Sequence, residues 1–153
     1  MKAKIVQLEE KKFIGMHWFG KHKEDISSLW CSFMSKIETI PNKTPSQNQY
    51  GICYMEGNEP SQEHFHYIAC REVSSIESIP ESLSSKTLPA SKYAVYTHKG
   101  PLDTLADTFH KVYSEWLIED GLEPITDLSF ELYDERFIYN NEHSEMDIYI
   151  PIK

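Results

Sequence analysis

Glu131 is the one acid inside the run Leu-Ser-Phe-Glu-Leu-Tyr at residues 128–133. In an extended strand, Phe130 and Leu132 face one way, while Ser129, Glu131 and Tyr133 face the other. A carboxylate in that setting has two fates. On a wet sheet face it is simply solvated. On a covered face an unpaired charge is costly, so the group protonates or takes a cation. Aromatic rings beside it add attraction for a cation, about 0.5–2 kcal/mol per ring. Tyr133, Trp116, Tyr113 and Tyr96 are the rings available nearby in sequence, and Trp18 and Tyr54 are candidates from the first half. These residues together could build a box for a cation. The competing reading leaves Glu131 in water and the rings in the core.

The elements that must position this set are legible. Leu102, Leu105, Ala106, Phe109, Val112, Tyr113, Trp116 and Leu117 recur at three- and four-residue steps, which predicts one long amphipathic helix. Gly100-Pro101 opens it, Asp103 suits its positive end, Gly121 stops it and Pro124 prevents resumption. Further strands are expected at 4–8, 12–19, 50–55, 64–73, 93–98 and 144–152. Ile26, Leu29, Trp30, Phe33, Ile37 and Ile40 repeat the helical stripe after a polar patch at 21–25. Residues 74–91, rich in Ser, Glu and Pro, read as an ordered exposed crossover.

The order strand, helix, strand, strand thus occurs twice. Moving the first half along by 80 residues lays Phe13 on Tyr93, Met16 on Tyr96, Gly20 on Gly100 and Phe33 on Tyr113. The expected fold is therefore α+β. It would have duplicated βαββ units about a pseudo-two-fold axis, an antiparallel sheet with two helices, and a central ligand groove. One domain of residues 1–153 is expected, with half-repeats at about 1–75 and 91–153 joined by the crossover 74–91.

Composition narrows the function. A formal net charge of −9 disfavours direct contact with nucleic acid, which needs a basic face. No apolar run is long enough to span a membrane, and the N-terminus lacks a secretory apolar stretch. Cys31, Cys53 and Cys70 have no paired spacing and read as reduced thiols, so a cytoplasmic location is expected. His64 and His66 share a strand face but have no third ligand placed by spacing, so no metal is expected. His98 and His110 read as solvated. The scattered glycines form no phosphate loop, and no cofactor is expected.

Three segments resemble the GyrI-like effector-binding family. They are Tyr93-Ala-Val-Tyr96-Thr-His-Lys-Gly100-Pro101, Trp116-Leu-Ile-Glu-Asp-Gly121-Leu-Glu-Pro124, and Phe130-Glu131-Leu132-Tyr133-Asp134 with the closing Asp147-Ile-Tyr-Ile-Pro151-Ile. The resemblance implies a single α+β domain with a central groove. It implies that Glu131 meets the ligand there and that Trp116 carries over from the helix. Tyr133, Tyr96, Tyr113, Tyr54 and Trp18 carry over by approximate location. Asp147 stands where the family usually has glutamate. Relatives often follow a DNA-binding segment, whereas this chain begins at its first strand and is expected to be a stand-alone ligand domain.

Three functions remain open. The leading one is a small-molecule-binding protein for amphipathic, often cationic aromatic ligands, acting as sensor or sequestering factor. The second is a hydrolase of electrophilic or strained-ring toxic molecules, with Glu131 as general base and Tyr133 or Tyr96 at the leaving oxygen. The third is a protein-interaction module resembling gyrase inhibitors, with a protein partner.

Overall fold

A computed structural model describes residues 2–21 and 26–153. The polar patch expected at 21–25 falls almost wholly outside them. The strands are β1 (Lys4–Leu8), β2 (Lys11–Gly20), β3 (Gln49–Tyr54), β4 (Phe65–Val73), β5 (Ser84–Leu88), β6 (Ser91–Lys99), β7 (Ser129–Tyr133) and β8 (Glu145–Ile152). Helix α1 is Ile26–Met34. A second helical stretch contains α2 (Leu105–Lys111) and α3 (Leu117–Glu119). The fold is α+β with antiparallel strands. The chain divides into two compact units, Glu10–Pro89 and Met1–Glu9 with Ala90–Lys153.

In the unit Glu10–Pro89 the strand order is β3-β4-β2-β5. Alternation puts Ile14, Tyr67 and Ala69 on the face covered by Leu29 and Phe33 of α1, and Ile37 and Ile40 extend that core. Removing such side chains from water is what fixes α1 to the sheet. Gly15 is dictated by closeness: a Cβ there would lie 2.0 Å from the Ala69 carbonyl oxygen. Strand β5 lies within the expected crossover and pairs with β2. Its sequence, Ser-Ser-Lys-Thr-Leu, lacks apolar alternation because only Leu88 is buried.

In the other unit the order is β1-β6-β8-β7. The helical stretch covers Ala94 and Tyr96 of β6 and Met146, Ile148 and Ile150 of β8, chiefly through Val112 and Leu117. It is not the uniform α-helix the spacing predicts. A 3₁₀ turn (Leu102–Thr104) opens it, and a π-helical turn (Val112–Trp116) separates α2 from α3. The Leu117 N–H bonds the Val112 carbonyl, five residues back. This extra residue lets two side chains five apart, Val112 and Leu117, both bury. Ala106 and Tyr113, which the periodicity puts on the stripe, are exposed. The helix ends as expected at Gly121, where φ is +67°. Leu122 N–H bonds Leu117 O at 2.9 Å and Gly121 N–H bonds Ile118 O at 3.0 Å, a Schellman ending.

Candidate functional site

Glu131 lies opposite Ile148 on β8, and Ile148 lies opposite Tyr96 on β6. Directly paired residues share a sheet face. Glu131 therefore points to the helix-covered side, and only 7% of it is exposed. The solvated alternative for this carboxylate does not hold. Tyr133, two residues on, shares the face, and its hydroxyl donates to Glu131 Oε1 at 2.7 Å. The edge of Phe137 meets the Tyr133 ring, with centroids 4.9 Å apart. Trp116, at the end of the π turn, is half-buried in the same apolar cluster as Tyr96, Tyr133 and Phe137. The Tyr96 and Trp116 rings lie 5.7 Å apart. Glu131, Tyr133, Trp116 and Tyr96 thus belong to one covered face. Tyr113 projects outward from the π turn, 42% exposed.

The hydroxyl of Tyr96 is committed elsewhere. It donates to Asp120 Oδ2 at 3.0 Å. Burial first, then that hydrogen bond and the Asp120 charge, push its ionisation well above the usual tyrosine range. Tyr96 therefore offers the site a ring rather than an acidic proton.

Trp18 and Tyr54 belong to the other unit, where they point to opposite faces. Trp18 pairs with Tyr67 and Tyr54 with His66, adjacent residues of β4. Trp18 packs on Phe65 at 5.0 Å against the α1 core. Tyr54 stacks on His66 at 4.9 Å, and Lys86 Nζ already sits 3.8 Å from its ring centroid.

The internal repeat shows where the acid is special. The register Met16–Ala69–Gly51 in one unit answers Tyr96–Ile148–Glu131 in the other. Two residues on, Cys53 answers Tyr133. The duplicated position of the carboxylate is a glycine, so this acid and its phenol occur in one unit only.

The structural roles of His98, Asp147 and Arg136 escaped the sequence reading. His98, expected in water, is 2% exposed. Its Nδ1 meets Thr108 Oγ1 at 2.6 Å and its Nε2 meets the Pro101 carbonyl oxygen at 3.0 Å. It pins α2 to β6, and its alternation with Tyr96 was the available signal. Asp147 lies on the face opposite Glu131. It accepts from Thr97 at 2.7 Å and pairs with Arg136 at 2.8 Å. Arg136 also grips Asp134 at 2.9 Å, which fixes the turn that brings Phe137 to Tyr133. The histidine pair does not act jointly: His66 meets His17 at 2.8 Å and Glu59 at 3.4 Å, whereas His64 meets Ser61 at 2.7 Å. Among the described residues no group of three or more His, Cys, Asp or Glu is arranged to hold a metal ion. No described helix is long and apolar enough to cross a membrane.

A family model for the GyrI-like small molecule binding domain matches residues 1–153. The chain belongs to this family. This GyrI-like domain is 40% identical over 154 residues to the transcriptional regulator BrlR of Pseudomonas aeruginosa. That match covers 99% of the chain and 56% of BrlR, so the chain spans little more than half the regulator's length. Among solved structures, SAV2435 bound to tetraphenylphosphonium superposes with a TM-score of 0.79 at 18% identity, covering 100% of this chain and 94% of that one. The C-terminal domain of EcmrR gives 0.76 at 15% identity, covering 99% and 97%. At such identities these two likenesses establish the GyrI-like fold and nothing finer.

Proposed function

We propose that this domain captures amphipathic aromatic cations on the face formed by Glu131, Tyr133, Trp116 and Tyr96, as the ligand-receiving part of a sensor or a sequestering protein. The observation that carries the reading is a carboxylate, 7% exposed, among aromatic rings on the covered side of a sheet. A cation is drawn both to such a carboxylate and to the ring faces beside it. The Tyr133 hydroxyl fixes the carboxylate's orientation, so little ordering is left for the moment of binding. A net charge of −9 adds a favourable long-range field for a cation. Kinship with a transcriptional regulator and a shared fold with a protein holding tetraphenylphosphonium support the same reading. The second reading, hydrolysis, has support from the fold alone: a hydrolase from Listeria innocua superposes with a TM-score of 0.63 at 13% identity, covering 99% of this chain and 92% of that one.

The test is a titration of intrinsic tryptophan fluorescence with tetraphenylphosphonium and with neutral triphenylphosphine oxide, followed by mass spectrometry of the recovered ligand. Saturable quenching by the cation, weak response to the neutral compound and an unaltered ligand are expected. No response to either compound would overturn the proposal, and a chemically altered ligand would replace binding with turnover.

A further inference from the structure

Aspartate is an unsuitable residue for the C-terminal end of a helix. The last carbonyls make that end negative, and cations suit it better. Yet Asp120 caps α3. Among the described residues its carboxylate has two donors, both from outside the helix. The Ala3 N–H donates to Oδ2 at 2.9 Å, and the Tyr96 hydroxyl donates to the same oxygen at 3.0 Å. The Ala3 amide first, and Tyr96 with it, hold the carboxyl below the usual range against the opposing effect of burial. Asp120 follows Trp116 by four residues, and its own N–H bonds the Trp116 carbonyl at 3.0 Å. Residues four apart share a helix face. Tyr96 touches both, with its ring near Trp116 and its hydroxyl on Asp120.

We propose that Asp120 is a positioning residue which, through the Tyr96 hydroxyl and the Ala3 amide, ties occupancy of the Glu131–Trp116 face to the anchoring of the N-terminal segment. This rests on the reading of that face as the ligand site. A ligand that displaces the Tyr96 or Trp116 ring also moves a hydroxyl that shares its acceptor oxygen with Ala3. The segment has room to respond. Lys2, Ala3 and Ile5, with Glu119, Asp120 and Leu122, line an open depression of about 380 Å³. Ile5 is 48% exposed, and β1 pairs with β6 along its one described register.

The experiment follows the Ala3 amide resonance and its hydrogen exchange in wild type, Tyr96→Phe and Asp120→Asn, without ligand and with tetraphenylphosphonium, while tryptophan fluorescence reports binding. Without ligand, exchange at Ala3 is expected to speed up about tenfold in both variants, although Tyr96 makes no bond to Ala3 itself. With each protein brought to saturation by its own fluorescence titration, the Ala3 resonance is expected to shift in wild type and to stay still in Tyr96→Phe. A merely structural tyrosine would lower stability without uncoupling that shift. Unchanged Ala3 exchange in Tyr96→Phe, or a ligand-induced shift equal to wild type in that variant, would overturn the proposal. If tetraphenylphosphonium fails to bind wild type, the site reading falls, and the ligand-free exchange still decides whether the linkage exists.

Discussion

Single side chains set the chemistry of the site, and Tyr133 gives the cleanest perturbation. Tyr133→Phe removes the hydroxyl on Glu131 and keeps the ring against Phe137. It is expected to weaken tetraphenylphosphonium binding about 3- to 10-fold, the worth of one hydrogen bond, as read by fluorescence titration. A variant that binds like wild type would remove Tyr133 from the site. His98 answers to stability instead. His98→Ala empties a buried position and removes the bonds to the half-buried Thr108 hydroxyl and to the Pro101 carbonyl, which keeps its bonds from Thr104, and is expected to cost about 1–3 kcal/mol in urea denaturation. A loss below about 0.5 kcal/mol, the size of an ordinary surface change, would return His98 to the solvated role its sequence suggested. Glu131 was legible as a candidate because strand alternation separates it from Phe130 and Leu132. Its burial was not legible, since alternation says which face a residue takes and not whether that face is covered. Asp120 was hidden because both of its partners are distant in sequence.

Between residue and unit stands the helix after Pro101. Its apolar stripe, its start and its Gly121 stop were all readable from spacing. The π turn was not, because one added residue leaves three- and four-residue steps on both sides intact. That turn decides where Trp116 points, since it moves α3 by one residue relative to α2. Deleting the exposed Ser114 removes the added residue. The deletion is expected to preserve helical circular dichroism while abolishing tetraphenylphosphonium binding, and retained binding would show that the turn is incidental. Gly121→Ala places a Cβ at φ +67° and is expected to cost about 1 kcal/mol with affinity unchanged. Strand β5 escaped the reading for a related reason. It is a polar strand with one buried residue, so its pairing with β2 rests on backbone bonds that composition does not reveal.

Over the whole molecule, the duplicated order of elements was legible from matched spacings, and the paired registers of the two units repeat it strand for strand. The acid does not repeat: Gly51 stands in for Glu131. One cation per chain is therefore expected. The unit lacking the acid carries a different sensitivity. Burial, then His66 at 2.8 Å, holds the His17 ring below its ordinary value; Glu56 opposes this and Lys86 adds to it. The fold thus favours neutral His17, while the unfolded chain takes up a proton as pH falls through about 6.5. Its contribution is full above that pH and is lost as pH falls through the lower folded value. The urea midpoint is expected to drop on acidification below about pH 6.5, and His17→Asn to flatten that slope; equal slopes would contradict it. The central claim, that Glu131 makes one unit a cation site, is tested most directly by calorimetric titration of wild type and Glu131→Gln with tetraphenylphosphonium and triphenylphosphine oxide. The account predicts one cation per wild-type chain, cation affinity weakened about tenfold or more in the variant, and neutral-ligand affinity unchanged. Equal cation affinity in the two proteins would contradict it.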